Sequence, residues 1–262
     1  MKLALYQGPS PSGNLEAAFE TIEGKLLAAA AAGADMVVFP ELFLPGYNQR
    51  QLHPSLAQPQ GGPWEAQLAV LAKSTGCGLT IGWAERDGAQ LYNAASTFDR
   101  HGRRLAHYRK LQLFGEMEQS VFIPGADYEL FDLDGIRAGL LICYDVEFAP
   151  HCGALKKRGA ELLLVPTANP AGFEHVSDVL LPARAVETNM TIAYANYCGS
   201  DSGLTFGGSS ILLGPDGGIL VKAGKTEALL IADLDGCADI DPTRISTQYH
   251  DFREAPGRHD QL

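Results

Sequence analysis

Metal-ligand spacing is missing from this sequence. Its seven histidines occur singly, with no His-x-His or His-Glu-x-x-His pair, so no metal site is expected and no cofactor is implied. Cysteines 77, 143, 152, 198 and 237 are odd in number and scattered, without a Cys-x-x-Cys. That pattern gives no disulfide framework and reads as a reduced, cytoplasmic protein. Positive charge is also scarce: 20 Lys and Arg face 31 Asp and Glu, a net −11. Such a balance argues against nucleic acid and against an acidic membrane surface as partners. No run approaches the roughly 20 apolar residues of a membrane span. The N-terminus, Met1 to Gln7, turns polar too soon for a signal peptide, and the run Ala28 to Ala32 lies inside an amphipathic helix pattern. What is present is the composition of a globular enzyme, 46% hydrophobic and 19% charged over 262 residues, with no linker in the middle. A single domain over residues 1–262 is expected.

Taken in order, Lys2 to Gln7 reads as a strand stopped by Gly8-Pro9. Asn14 can cap a helix whose Leu15, Ala18, Phe19, Ile22 and Leu26 share one face, and Gly33 ends it. Met36 to Phe39 is a short buried strand, so strand, helix, strand makes a βαβ start with parallel neighbours. Leu42 to Pro63 is a long loop rich in Pro, Gly and Gln, of a length that points to function. A helix over Trp64 to Thr75 precedes strands at Gly78 to Glu85, Leu91 to Phe98 and Arg104 to His107, an antiparallel meander. Lys110 to Gly125 carries little periodicity and reads as an excursion over the sheet edge.

A hairpin of Tyr128 to Leu133 and Ile136 to Ile142, turning at Asp134-Gly135, follows. Next come a helix near His151 to Arg158, a strand at Leu162 to Val165 and a helix from Ser177 to Asn189. Strands at Thr191 to Asn196, Ser209 to Leu213, Ile219 to Ala223 and Ala228 to Asp233 complete the set. The last 25 or so residues are polar and read either as a solvated end or as a tail that docks on a partner subunit. Gly33-Ala34-Asp35-Met36-Val37-Val38-Phe39-Pro40 matches Gly159-Ala160-Glu161-Leu162-Leu163-Leu164-Val165-Pro166 in type at every position. The match is short, but it suggests two related halves, each a sheet covered by helices on one side.

Three groups fall at the ends of buried strands: Glu41, Lys110 and Cys143. A cysteine at the corner from strand into helix is either a small core side chain or a nucleophile exposed at the sheet rim. With an acid and an amine at the same rim, a division of labour follows. A free thiol is mostly protonated at neutral pH, so a base must take its proton as it attacks. Glu41 can be that base if burial raises its pKa toward neutrality. Lys110 and the backbone N–H of Tyr144 can hold the oxyanion that forms on a carbonyl. Singly, each has a bland reading: a loop acid, a surface lysine.

The three segments together resemble the nitrilase superfamily of carbon–nitrogen hydrolases. Pro40-Glu41-Leu42, Arg109-Lys110-Leu111 with Phe114-Gly115-Glu116-Met117-Glu118, and Ile142-Cys143-Tyr144-Asp145 are similar to its three motifs, in order. Phe122-x-Pro124-Gly125, Pro166-Thr167-Ala168-Asn169-Pro170 and Arg184-Ala185-x-Glu187-x-Asn189 match as well. The resemblance implies an α/β fold, a four-layer α-β-β-α sandwich that forms homodimers or larger homo-oligomers through helices beside the nucleophile. It implies Cys143 as nucleophile, Glu41 as general base, Lys110 as oxyanion stabiliser and Glu118 as a second glutamate that positions substrate. Arg184 and Glu187 match residues with a structural role. Cys143-Tyr144-Asp145-Val146-Glu147-Phe148 is similar to the amidase branches. The implied reaction is hydrolysis of a small aliphatic or amino-acid-derived amide through a thioester. Phe148-Ala149-Pro150-His151 departs from the family's usual Phe-Pro-Glu and shifts the proline by one residue. An N-carbamoyl hydrolase and a non-catalytic binding subunit are the alternatives; a redox thiol protein lacks a paired cysteine beyond the nearby Cys152.

Overall fold

The computed structural model describes residues 1–235 and 240–253. Two six-stranded mixed sheets carry the fold. The first holds β1 (Lys2–Gln7), β2 (Met36–Val38), β3 (Gly78–Asp87), β4 (Gln90–Phe98), β5 (Arg104–Arg109) and β14 (Ala228–Asp233), in the order β14-β1-β2-β3-β4-β5. The second holds β6 (Glu129–Leu133), β7 (Ile136–Leu140), β8 (Leu162–Pro166), β9 (Thr191–Ala195), β12 (Ile211–Leu213) and β13 (Ile219–Lys222), in the order β13-β12-β9-β8-β7-β6. A two-stranded ribbon, β10 (Ser200–Asp201) with β11 (Leu204–Thr205), stands apart. β1, β2 and β3 run parallel, as do β7, β8 and β9, and every other pairing in the two sheets is antiparallel.

The halves therefore correspond strand for strand when the second is read from β6, and the repeated Gly-Ala-acid segments supply the third strand of each, β2 and β8. Each segment opens on a glycine in the left-handed region, Gly33 at φ +78° and Gly159 at φ +90°.

Side-chain alternation builds the layers. On β1, Leu3 and Leu5 join Leu140, Leu162, Leu164 and Ala193 in the core between the sheets. Ala4 and Tyr6 face the other way, with Ala18, Ile22 and Leu26 of α1 (Leu15–Ala31) and Leu68 of α3 (Pro63–Thr75). On the second sheet, α5 (Ala149–Lys157) and α6 (Leu181–Thr188) contribute Cys152, Leu155, Leu181 and Ala185 to the buried set. This is the four-layer α-β-β-α sandwich. Strands buried on both faces read as continuous apolar runs, which is why their sequence signal is strong.

Asn14 caps α1, its side chain accepting from Ala17 N at 3.1 Å. The loop after β2 is not featureless: it contains α2 (His53–Leu56) and pairs with β3 through Leu44–Trp83 and Gln58–Glu85 bridges. The excursion from Lys110 contains α4 (Gly115–Val121). The helix expected from Ser177 divides into a π-helical turn, Val176–Leu180, and α6. Pro182 explains the division, since it has no N–H to give to the carbonyl of Asp178 four residues back.

Part of the polar C-terminal segment folds on its own chain. Asn189 Nδ2 donates to Ser246 O at 2.7 Å, Arg244 pairs with Asp216 at 2.6 Å, and α7 (Gln248–Asp251) lies beside α6. Residues 254–262 lie outside the described residues, as does Cys237. Among the described residues no helix is long and apolar enough to cross a membrane.

Candidate active site

Cys143 opens a 3-10 turn, Cys143–Glu147, just past β7. Its φ of +46° is left-handed, a conformation that costs a non-glycine residue about 1–3 kcal/mol and persists only when neighbours enforce it. The neighbour here is Asp145. Its Oδ2 accepts from Ile142 N at 3.0 Å and from the Tyr108 hydroxyl at 2.8 Å, and its Oδ1 accepts from Gln112 N at 2.7 Å. Burial still pushes this carboxyl up to about 6. Tyr108 and Gln112 flank Lys110, so one carboxylate ties the cysteine corner to the lysine segment. The Tyr144 N–H belongs to the first turn, where helix amides lack an intrahelical acceptor and point outward.

Glu41 lies three residues past β2, and glycine is what admits it. A Cβ on Gly82 of β3 would come within 2.4 Å of Leu42 N and 2.6 Å of the Glu41 Cα. Its backbone is held by Thr167, whose carbonyl accepts from Glu41 N at 3.3 Å, and by the Tyr197 hydroxyl, which donates to Glu41 O at 2.9 Å. Thr167 follows β8 as Glu41 follows β2, so the two equivalent strand ends meet here. The carboxylate is closed to solvent. Oε1 accepts from Lys110 Nζ at 2.6 Å and Asn93 Nδ2 at 2.7 Å, while buried Oε2 has no partner among the described residues. Desolvation pushes the Glu41 pKa up to about 7, against the pull of Lys110.

Lys110 follows β5. Its N–H donates to Asn93 O and its carbonyl accepts from Gly125 N, both at 2.8 Å. Gly125 is required at that approach, since a Cβ would sit 2.2 Å from Arg109 O. The ammonium donates to Glu41 Oε1 and, at 2.8 Å, to Glu118 Oε1. Burial works against its charge, yet the carboxylates of Glu118 and Glu41 outweigh that and hold its pKa well above the usual lysine value. It is an ammonium at any physiological pH. Glu118, on α4, also accepts from the Tyr47 hydroxyl at 2.7 Å and from Phe114 N at 3.2 Å.

The Cys143 thiol lies beside Thr167 and within the field of Glu41, Lys110 and Glu118. Burial first, and then the Glu41 charge, raise its pKa well above the ordinary value, with Lys110 opposing. Such a thiol is protonated at neutral pH. The structure thus brings Glu41, Lys110, Glu118 and Cys143 to one rim between the sheets. It corrects one expectation: Cys143 is at the rim but not exposed, with 6% of its surface accessible. Aromatic side chains cluster on Tyr144, the residue that follows it. The Phe114 ring lies 5.2 Å from that of Tyr144 and 5.9 Å from that of Phe173, and Tyr144 lies 4.8 Å from Phe148.

Sequence reasoning did not single out Tyr47, Asn93, Tyr108 or Tyr197. Each is one polar group in a loop or an apolar strand, and no local pattern marks it. Asp145 was visible within the Cys-Tyr-Asp motif, where its short spacing from Cys143 was the available signal. Among the described residues no group of three or more His, Cys, Asp and Glu is arranged to hold a metal ion.

Several known proteins are similar to this chain. A hydrolase encoded in the pqqF 5' region of Pseudomonas protegens is 42% identical over 243 residues, covering 90% of this chain and 83% of that protein. A 2-oxoglutaramate amidase of Bacillus subtilis is 31% identical over 205 residues, covering 77% and 78% respectively. A solved structure of an amidase variant from Nesterenkonia sp. AN1, with acrylamide added at its active-site cysteine, superposes with a TM-score of 0.86. It is 35% identical and covers 92% of this chain and 96% of its own. The family model for carbon–nitrogen hydrolases matches residues 2–242, and with that match this chain belongs to the carbon–nitrogen hydrolase family.

Proposed function

We propose that this hydrolase cleaves the carbon–nitrogen bond of a small, non-peptide amide, giving a carboxylic acid and ammonia through a thioester on Cys143. The observation that carries this reading is the Glu41 Oε2, which no described residue pairs, beside an Oε1 held by both Lys110 and Asn93. A carboxylate titrating at about 7 is poised to take a proton and return it at neutral pH.

The steps follow from these groups. Glu41 removes the thiol proton as Cys143 sulfur attacks the amide carbon, so no free thiolate is stored. The tetrahedral oxyanion is held by Lys110 Nζ and the Tyr144 N–H, each such donor being worth about 3–4 kcal/mol of barrier. As the intermediate collapses, Glu41 gives its proton to the departing nitrogen, and ammonia leaves a thioester. Water then loses a proton to Glu41 and attacks the thioester. Collapse expels the sulfur, which takes the proton back. Glu118 keeps Lys110 charged and positioned and shares its ammonium with the base. The cluster holds every group the cycle uses, which argues against a lapsed binding subunit, since buried charges without a task are costly.

Assembly as a homodimer beside α5 and α6, and a cytoplasmic location, belong to the same reading. Four free buried cysteines, Cys77, Cys143, Cys152 and Cys198, support a reducing compartment, and sedimentation measures the assembly. The test of function is ammonia release from propionamide and isobutyramide, alongside carbon dioxide release from N-carbamoyl amino acids. Amide turnover that disappears in Cys143→Ala is expected. Carbamoyl turnover alone favours the carbamoyl hydrolase, and product from neither panel ends the reading.

A further inference from the structure

Glu147 closes the 3-10 turn that Cys143 opens. In a 3-10 helix, residues three apart eclipse one another. Glu147 therefore lies on the side of Tyr144, whose ring packs on Phe114 at the rim. Its main chain is anchored: Arg184 Nη2 donates to Glu147 O at 2.9 Å, and Nη1 of the same guanidinium is taken by Glu187 at 2.8 Å.

The carboxylate itself is not anchored. It is half-buried, and among the described residues no hydrogen-bond donor and no Lys, Arg or His nitrogen pairs with it. Its closest electrostatic neighbours are His175, Lys110 and Arg184. Lys110 is already committed to two other carboxylates. Tyr194 feels both the Cys143 thiol and Glu147, and its hydroxyl accepts from Thr167 Oγ1 at 3.0 Å, so Glu147 shares the reacting cysteine's surroundings. Burial has raised its pKa, and the charges of His175, Lys110 and Arg184 offset this only in part.

A negative charge left unpartnered among the described residues, in the same turn as the nucleophile and on the side of Tyr144, whose ring meets Phe114 and Phe148, fits one ligand chemistry. It fits a cation, drawn by the carboxylate and tolerated by aromatic rings. It opposes a second carboxylate on the substrate. We infer that Glu147 is a specificity residue that receives the ammonium group of an amino-acid amide whose carbonyl carbon lies at Cys143. The inference rests on the amidase reading and names its substrate class: amides bearing an amine near the carbonyl, ahead of uncharged amides of equal shape and of amides that carry a carboxylate.

Three substrates test it on the full chain at pH 7, where an α-amino group with a pKa of about 7.7–8.0 is mostly protonated. They are each enantiomer of alaninamide, isobutyramide (methyl in place of ammonium) and succinamate (an added carboxylate). The wild type is expected to prefer one alaninamide enantiomer over isobutyramide by about tenfold to a hundredfold in kcat/KM, the range for a hydrogen bond to a charged group. Succinamate is expected to fall below both. In Glu147→Gln the alaninamide-to-isobutyramide ratio should drop at least about tenfold, mostly through KM, and Glu147→Asp should keep part of it. A wild-type ratio near one, or a ratio unchanged in Glu147→Gln, overturns the inference. If Glu147→Gln does not fold, the wild-type ratio decides alone. Hydrolysis of isobutyramide without preference for alaninamide sinks this inference and leaves the amidase reading intact, whereas no turnover of any of the three sinks both.

Discussion

Lys110 binds one oxygen of Glu41 and leaves the other free: Nζ lies 2.6 Å from Oε1, while buried Oε2 meets no donor among the described residues. The pair is thus not a closed salt bridge. It fixes the orientation of the proposed base and spares the lone pairs that such a base needs.

Replacing Glu41 by Gln keeps an oxygen for Lys110 and Asn93 but removes the proton acceptor. General-base loss lowers kcat by about 10²–10⁴-fold. Steady-state ammonia release checks this, and a variant retaining a tenth or more of wild-type kcat would remove Glu41 from the mechanism.

The same residue sets the pH profile. Its pKa is about 7, and only the ionised form can take the thiol proton. Log kcat/KM for an uncharged amide should therefore rise with unit slope as pH approaches 7 from below, then level off. Initial rates from pH 5 to 8.5 measure it. A flat profile across pH 6–8 is incompatible with this base.

Lys110→Met strands two buried carboxylates, Glu41 and Glu118, without their shared cation. Removing one partner of a buried ionic group costs about 3–5 kcal/mol. Denaturant unfolding should show that loss, and the double variant with Glu118→Gln should recover part of it, because one stranded charge goes with the second change. Equal stability of Lys110→Met and wild type would mean the lysine is not the ammonium described.

Tyr108→Phe deletes the hydroxyl that donates to Asp145 Oδ2 at 2.8 Å. A hydrogen bond to a buried charged group is worth about 1.5–3 kcal/mol. Stability should fall by that amount, and kcat with it, since Asp145 also holds the Ile142 amide beside the left-handed Cys143. Loss of stability with full activity would show that this bond plays no part in holding the cysteine corner.

Much of this was legible before any coordinates. Lys2–Gln7 and Ala228–Asp233 have the bounds that their apolar runs define, the first buried on both faces and the second half-buried at the sheet edge. The ordered motifs around Glu41, Lys110 and Cys143 carried the site. What escaped is what depends on chain meeting chain. At seven residues α4 is too short for helical period to show, and the π-helical turn comes from Pro182 interrupting one ladder. Asn93 and Tyr47 matter only through the carboxylates they reach, 52 and 71 residues away in sequence. The burial of Cys143 has the same origin. A cysteine at a strand end reads as exposed, and the groups set around its thiol, Glu41, Lys110, Glu118 and Thr167, come from segments remote in sequence.

The account stands most directly on a covalent bond. Quenching the full chain in acid during its first turnovers of propionamide, followed by peptide mass spectrometry, should find the acyl group on the peptide containing Cys143 and on no other cysteine. Ammonia accumulating with no such adduct, or an adduct confined to Cys77, Cys152 or Cys198 while Cys143→Ala still turns over, would contradict it.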